Sequence, residues 1–362
     1  MIINYFKALF ISFLFLLIVS CSTEIEELGK DFECDKLDLF FSKIEDQNLG
    51  MGSISIYKNG KEDYQNSFGF IDKEYSIKAN INSKYRIASI SKMFTATMIM
   101  QLIEESKLSL KTTLDQYFPE IPNAKTITIE QLMNHRTGLF NFTEGDYEPE
   151  ERIQNSSRQK LLEIFIKNGT NFKPGDKFGY SNTNYLLLSF IIEDIEEKTY
   201  ATSFNDRLAK PLGLNNTYNG KEIDATNNEA YSYQIENDEW VRLIETHYSI
   251  LQGTGSIVST AAGVNKFYNA LFKGDLISEN SLLKMTTMVD GYGYGIFTIP
   301  FYNKNGFGHD GRVDGYQSLS IYFPSDDVTL TYLSNGVNMA PNDIVIGALS
   351  IFSGLEYDLP KK

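Results

Sequence analysis

Alternation of apolar and polar residues with period two occurs near both ends of this chain, and helical periodicity fills the stretch between them. Ser53–Tyr57 alternates and runs into Asn59-Gly60, a dipeptide that favours a two-residue hairpin turn, with Tyr64–Phe70 as the return strand. Near the other end Tyr294–Ile299, Tyr316–Phe323 and Val328–Ser334 read as strands, and Ile344–Phe352 closes as a helix. Between them, Ser89–Glu105 sets Ile90, Met93, Phe94, Met98, Leu102 and Ile103 at helical spacing. Thr128–Met133, Arg158–Lys167, Asn182–Lys198, Phe204–Ala209 and Ala261–Phe272 follow the same period, and Lys173-Pro174-Gly175 and Pro211-Leu212-Gly213 punctuate them. Strands so far apart in sequence share a sheet only if the chain returns to where it began. The expected fold is therefore α+β, an α/β sandwich. One antiparallel sheet is built from the N- and C-terminal strands and flanked by helices, with a mainly helical lobe inserted and a cleft between the two.

The apolar fraction, 42 %, supports a sizeable core, and the formal net charge of -14 argues against nucleic acid, whose phosphates repel an acidic surface. At the start, Lys7 precedes an apolar run, Ala8–Val19, too short for an ordinary membrane-spanning helix and suited to a secretory signal. It ends in Ile18-Val19-Ser20-Cys21, which resembles the lipobox of bacterial lipoproteins. That resemblance implies that Cys21 becomes the lipid-bearing mature N-terminus, with the chain anchored in the cell envelope, periplasmic or surface-facing. Cys34, the other of two cysteines, is then left without an intramolecular partner, so no disulfide framework is expected. The expected division is a signal peptide over 1–20, an acidic tether over 21–35 and one catalytic domain over 36–358.

Three short patterns carry chemistry. Ser89-Ile90-Ser91-Lys92 puts a hydroxyl and an amine on one helical face. A serine hydroxyl is a weak nucleophile until a base takes its proton, and a lysine amine can be that base once burial or a nearby cation lowers its pKa. The helix start also offers unpaired backbone N–H groups for an oxyanion. The same spacing recurs at Ser55/Lys58, Ser157/Lys160 and Ser281/Lys284, but only Ser89 opens a long apolar helix behind an extended segment, Tyr85-Arg86-Ile87. Tyr180-Ser181-Asn182 lies in a loop leading into a helix; the phenol suits a proton relay and the amide a substrate carbonyl, or Asn182 serves as the helix N-cap. His309-Asp310-Gly311 lies in a glycine-rich stretch, where the missing side chains let a substrate backbone approach a strand edge, or where the chain simply turns.

Ser-x-x-Lys, Tyr-x-Asn and His-x-Gly, in that order around a helical region, resemble the serine β-lactamase and penicillin-binding-protein superfamily. The resemblance is to the branch with class C β-lactamases and D-alanyl-D-alanine carboxypeptidases. Arg86–Ala96 looks like its nucleophile helix, Ile127–Leu139 like its following helix and turn, and Gly255–Thr260 like the segment before its late helix. The resemblance implies a β-lactamase/transpeptidase-like fold, Ser89 as the acylated nucleophile, and Lys92 and Tyr180 sharing the general-base and relay work. Asn182, His309, Gly311 and Arg312 would meet the substrate, and the backbone N–H groups of Ser89 and Arg312 would form the oxyanion hole. His135 is read as a structural turn residue. His309 stands where many relatives carry lysine; its ordinary pKa near ~6.5 leaves it mostly neutral, which speaks against efficient β-lactam hydrolysis.

The implied activity is hydrolysis of amide or ester bonds through a Ser89 acyl-enzyme, D-Ala-D-Ala carboxypeptidase-like or esterase-like. The alternatives are a class C-like β-lactamase and a non-hydrolytic penicillin-binding or peptidoglycan sensor. No metal and no cofactor are expected. Partners would be a small-molecule or peptidoglycan-peptide substrate and, through the lipid, the membrane; a monomer is expected.

Overall fold

The computed structural model describes residues 33–144 and 152–360. The signal segment, Cys21 and nearly all of the tether lie outside the described residues. The described residues form two compact units, one drawn from 33–47 and 342–360 and the other from within Asn48–Pro341. In the first, a helix over 33–46 and the C-terminal helix Pro341–Phe352 meet where Gly347 faces the Phe40 ring. A Cβ at Gly347 would stand 2.4 Å from that ring, so only glycine allows the approach.

The second unit holds a six-stranded antiparallel sheet. Its strands are β1 (Gly50–Lys58), β2 (Lys61–Phe68), β3 (Phe297–Phe301), β4 (Lys304–Val313), β5 (Tyr316–Phe323) and β6 (Val328–Val337), in the spatial order β3-β4-β5-β6-β1-β2. The first strand thus pairs with the last, from Gly50 opposite Val337 to Lys58 opposite Val328. The β1–β2 hairpin turns at Asn59 and Gly60, both with positive φ (53° and 74°), as the tight turn requires.

The alternation in β1 does not mark a wet face. Ser53 and Ser55 are as buried as Ile54 and Ile56. Both serines are satisfied internally: Ser53 Oγ bonds the Tyr85 hydroxyl at 2.9 Å, and Asn265 Nδ2 donates to the carbonyl and the Oγ of Ser55 at 2.9 and 3.0 Å. The Asn265 carbonyl in turn accepts from Thr331 Oγ1 on β6 at 2.7 Å. One buried amide therefore ties a helix to two central strands.

The helical part contains α1 (Ser91–Glu104), α2 (Ile129–Met133), α3 (Arg158–Asn168), α4 (Asn182–Glu196) and, crossing the sheet, α5 (Ala261–Phe272). Thr128 caps α2 through a reciprocal bond pair with Gln131, and Thr260 caps α5. Several elements differ from the sequence expectation. Ser89 lies in a 3₁₀ turn, Ala88–Ile90, ahead of α1, because Ala88 is left-handed (φ 46°) and cannot join an α-helix. The strand expected from Tyr294 begins at Phe297, because Gly295 is left-handed (φ 70°) and breaks the extension. Phe204–Ala209 divides between a short helix, Tyr200–Phe204, and a π-helical turn. The stretch 304–313, with its glycines, is a full strand although glycine weakens strands. At Gly308 a Cβ would stand 2.0 Å from the Ser320 carbonyl oxygen of β5, so close pairing demands glycine.

Asn265→Ala should remove the bonds to Ser55 and from Thr331 that join helix to sheet and lower unfolding free energy by about 1–3 kcal/mol, measured by urea denaturation. An unchanged midpoint would mean that this amide does not couple helix to sheet.

Candidate active site

The 3₁₀ turn sets Ser89 at the head of a buried helix. Ser89 is partly exposed, whereas Lys92, one turn on, is completely buried. Lys92 Nζ lies 3.0 Å from Ser89 Oγ and 2.9 Å from the Thr254 carbonyl oxygen. The Tyr180 hydroxyl lies 2.9 Å from the same Ser89 Oγ, and Lys92 Nζ sits 5.0 Å from the Tyr180 ring centre. The three residues singled out for nucleophilic chemistry therefore meet at one oxygen, delivered by α1 and by the loop entering α4.

The electrostatics follow from burial. No salt bridge to Lys92 is present among the described residues, and burial pulls its pKa well below the ordinary lysine value, with Asp310 acting in the opposite sense. Burial pushes the Tyr180 phenol up, although the bond to Ser89 opposes this. The amine thus favours its neutral form and the phenol keeps its proton. A neutral amine within hydrogen-bond reach of a hydroxyl can accept its proton. A protonated phenol at the same oxygen can only donate or relay.

Ser89 opens on a cavity whose wall includes Asn182, Thr143, Thr246, Arg312 and Asp314. Asn182 is the first residue of α4, and Ser181 is the N-cap. The Asn182 amide donates to Thr143 Oγ1 at 2.8 Å, while its backbone N–H donates to Asn141 Oδ1 at 2.9 Å. Arg312 follows the glycine-rich motif onto the cavity wall. Gly311 itself is packed under the nucleophile turn: a Cβ there would stand 2.7 Å from the Ile87 carbonyl oxygen and 2.8 Å from the Ser89 nitrogen. His309 is not on the cavity wall. It is buried, with Nε2 2.8 Å from the Tyr292 hydroxyl and Nδ1 against the Asp310 carbonyl, and burial, the largest cause, pushes its pKa down to about 3. It is neutral at any physiological pH.

Several wall residues were not singled out from sequence. Thr254 lies next to the Gly255–Thr260 segment, and its carbonyl anchors Lys92. Asp314 lies just past the glycine motif; its carboxylate accepts from Thr246 N–H at 2.9 Å and Thr246 Oγ1 at 2.6 Å, and stands 3.9 Å from the buried Arg86. Arg152 reaches the same wall and donates to the Thr143 carbonyl at 2.9 Å. Nothing local in sequence marks any of these three. Among the described residues no group of three or more His, Cys, Asp or Glu is placed to hold a metal ion.

The chain matches the model of the Beta-lactamase family over residues 37–349. A penicillin-binding protein of Bacillus subtilis (strain 168) is 27% identical over 351 residues, covering 90% of this chain and 77% of the relative. A teichoic acid D-alanine hydrolase of Staphylococcus aureus is 27% identical over 317 residues, covering 84% and 75%. Among solved structures, the octameric penicillin-binding protein homologue from Pyrococcus abyssi superposes with a TM-score of 0.77 at 26% identity, covering 89% of this chain and 78% of that one.

Lys92→Met should raise the melting temperature at pH 7. A buried amine with a lowered pKa binds fewer protons folded than unfolded, so stability falls as pH drops below the ordinary lysine pKa. The gap between variant and parent should therefore narrow towards pH 10 in thermal melts. A parent more stable than the variant at pH 7 would mean that Lys92 is held as a favourably paired cation.

Proposed function

The chain belongs to the Beta-lactamase family, and on that premise we propose that it is a serine hydrolase that cleaves amide or ester bonds through an acyl-enzyme on Ser89. The observation that carries this reading is the convergence of Lys92 Nζ and the Tyr180 hydroxyl on Ser89 Oγ, at 3.0 and 2.9 Å, beside an open cavity. Lys92, neutral through burial, takes the Ser89 proton as Oγ attacks the carbonyl carbon. The oxyanion is held by the backbone N–H groups of Ser89 and Arg312, whose strand is brought against the turn at Gly311. Tyr180 passes a proton to the departing amine or alkoxide, and Lys92 refills the relay. Water then attacks the ester, with the same groups moving its proton, and Ser89 is restored.

The substrate reading is a small acyl donor of D-alanyl type, a peptide or an ester. It is supported by the relatives, which include a penicillin-binding protein and a D-alanine hydrolase. Among the described residues of the cavity wall, two arginines, 152 and 312, stand with one carboxylate, Asp314, which is bonded to Thr246. That balance favours a leaving group bearing negative charge. His309, buried and neutral, supplies no such charge. The octameric Pyrococcus relative means that a monomer does not follow from family membership. The proposed setting is the cell envelope, with Cys21 as the lipid attachment point.

Fluorophosphonate and fluorescent penicillin should label the protein, and Ser89→Ala should abolish labelling; no Ser89-dependent labelling by either probe would sink the hydrolase reading. D-Ala release from a peptide, set beside hydrolysis of a nitrophenyl ester and of a cephalosporin, sorts peptidase, esterase and β-lactamase. Labelling without turnover of any of them would favour a sensor. Tyr180→Phe should slow acylation by roughly 10²–10⁴. Cys21→Ser should move the protein from the membrane to the soluble fraction on cell fractionation; persistence in the membrane would remove the lipid anchor.

A further inference from the structure

His135 lies in the turn after α2 with positive φ (57°), and it is completely buried. Its backbone carbonyl accepts from Gly179 N–H at 2.9 Å, and its Nδ1 accepts from Ser181 N–H at 3.2 Å. These are the residues on either side of Tyr180. The Tyr180 ring lies 4.3 Å from the His135 ring, centre to centre, tilted by 37°. One residue therefore holds the backbone before and after the tyrosine as well as its ring.

The protonation state is fixed by neighbours. Thr137 Oγ1 accepts from Leu139 N–H at 3.0 Å and donates to Asn184 Oδ1 at 2.7 Å. The Asn184 amide nitrogen is thereby aimed at His135 Nδ1, 3.0 Å away. Two donors on Nδ1 leave the ring proton on Nε2. Nε2 is buried with no hydrogen-bond partner. Its surroundings are aromatic, with Tyr292 and Tyr185 at 4.9 and 5.3 Å, centre to centre. A site that needed only an acceptor for Ser181 would be served by a side chain without this stranded donor.

We propose that His135 is a positioning residue for the acylation step: its ring and Nδ1 clamp the 179–181 segment so that the Tyr180 hydroxyl stays on Ser89 Oγ. Hydrogen-bond reach at that oxygen is set to within tenths of an ångström, and a shift of the phenol removes the relay without disturbing the cavity wall that binds substrate. The proposal rests on the acyl-enzyme reading.

The test is a double-mutant cycle on the full chain, read by the rate of Ser89 labelling with a fluorophosphonate and by steady-state kcat and KM. His135→Asn retains an acceptor and tolerates the left-handed backbone but lacks the ring. Labelling and kcat should fall roughly 10- to 100-fold, with KM little changed. In a Tyr180→Phe background the same substitution should change the rate by no more than about twofold, the error of independent effects. An equal loss in both backgrounds, a loss in KM matching that in kcat, or no loss in the parent overturns the proposal. If His135→Asn does not fold, Asn184→Ser removes one of the two Nδ1 donors and gives the same cycle at smaller amplitude, where additivity overturns it equally. Absence of any Ser89-dependent labelling in the parent would instead overturn the acyl-enzyme reading itself.

Discussion

A primary amine taken out of water without a counter-ion is the constraint to which the rest of the site answers. Lys92 is buried in a helix almost entirely enclosed by the core, and its amine is offered one carbonyl and one hydroxyl. A charged ammonium there would be costly, so burial biases the group towards its neutral form, the form that can accept a proton. An acidic side chain placed beside it would favour the charged form instead. The neighbours respect this: the groups around it are the Thr254 carbonyl, the phenol of Tyr180 and, further back, a histidine that is itself held neutral.

The sheet matters because it brings the far end of the chain to this amine. β1 pairs with β6, and β4 reaches the nucleophile turn through Gly311, where no side chain fits between the strand and the Ser89 nitrogen. Ser318 Oγ on β5 fastens the same turn by donating to the Ile87 carbonyl at 2.8 Å. The left-handed Ala88 is held in place by these contacts rather than by its own preference. Three segments, from α1, the loop before α4, and the β4 edge, are thus fixed relative to one another by packing within a single compact unit.

Much of this was legible before any coordinates. The end-to-end sheet follows from where period-two segments lie, and the helices expected from 158, 182 and 261 start at those residues, two of them behind side-chain caps, Ser157 and Thr260. The glycine-rich strand was not legible, since glycine's low strand preference hides a pairing that exists because glycine is there. Nor does the alternation in β1 report what covers each face: its serines are inside, satisfied by Tyr85 and Asn265. Of the expected site residues, Lys92 and Tyr180 meet at Ser89 Oγ, and Asn182 shares the cavity wall with Ser89. His309 keeps its motif position but faces Tyr292 instead of the cavity.

The sequence by itself determined which groups are available: a hydroxyl and an amine one turn apart, a phenol ahead of a helix, and glycines where two backbones must touch. Local spacing encodes those choices because each concerns residues within a few positions of one another. Tertiary structure alone decided their chemical states. Whether Lys92 is a base or a surface cation depends on what excludes water from it. Whether His309 meets substrate depends on which side of β4 is covered. The residue that brackets Tyr180, His135, is forty-five positions away in sequence and becomes its neighbour only when the turn after α2 folds against the loop before α4. Burial and adjacency across such distances are properties of the packed chain, and no local pattern carries them.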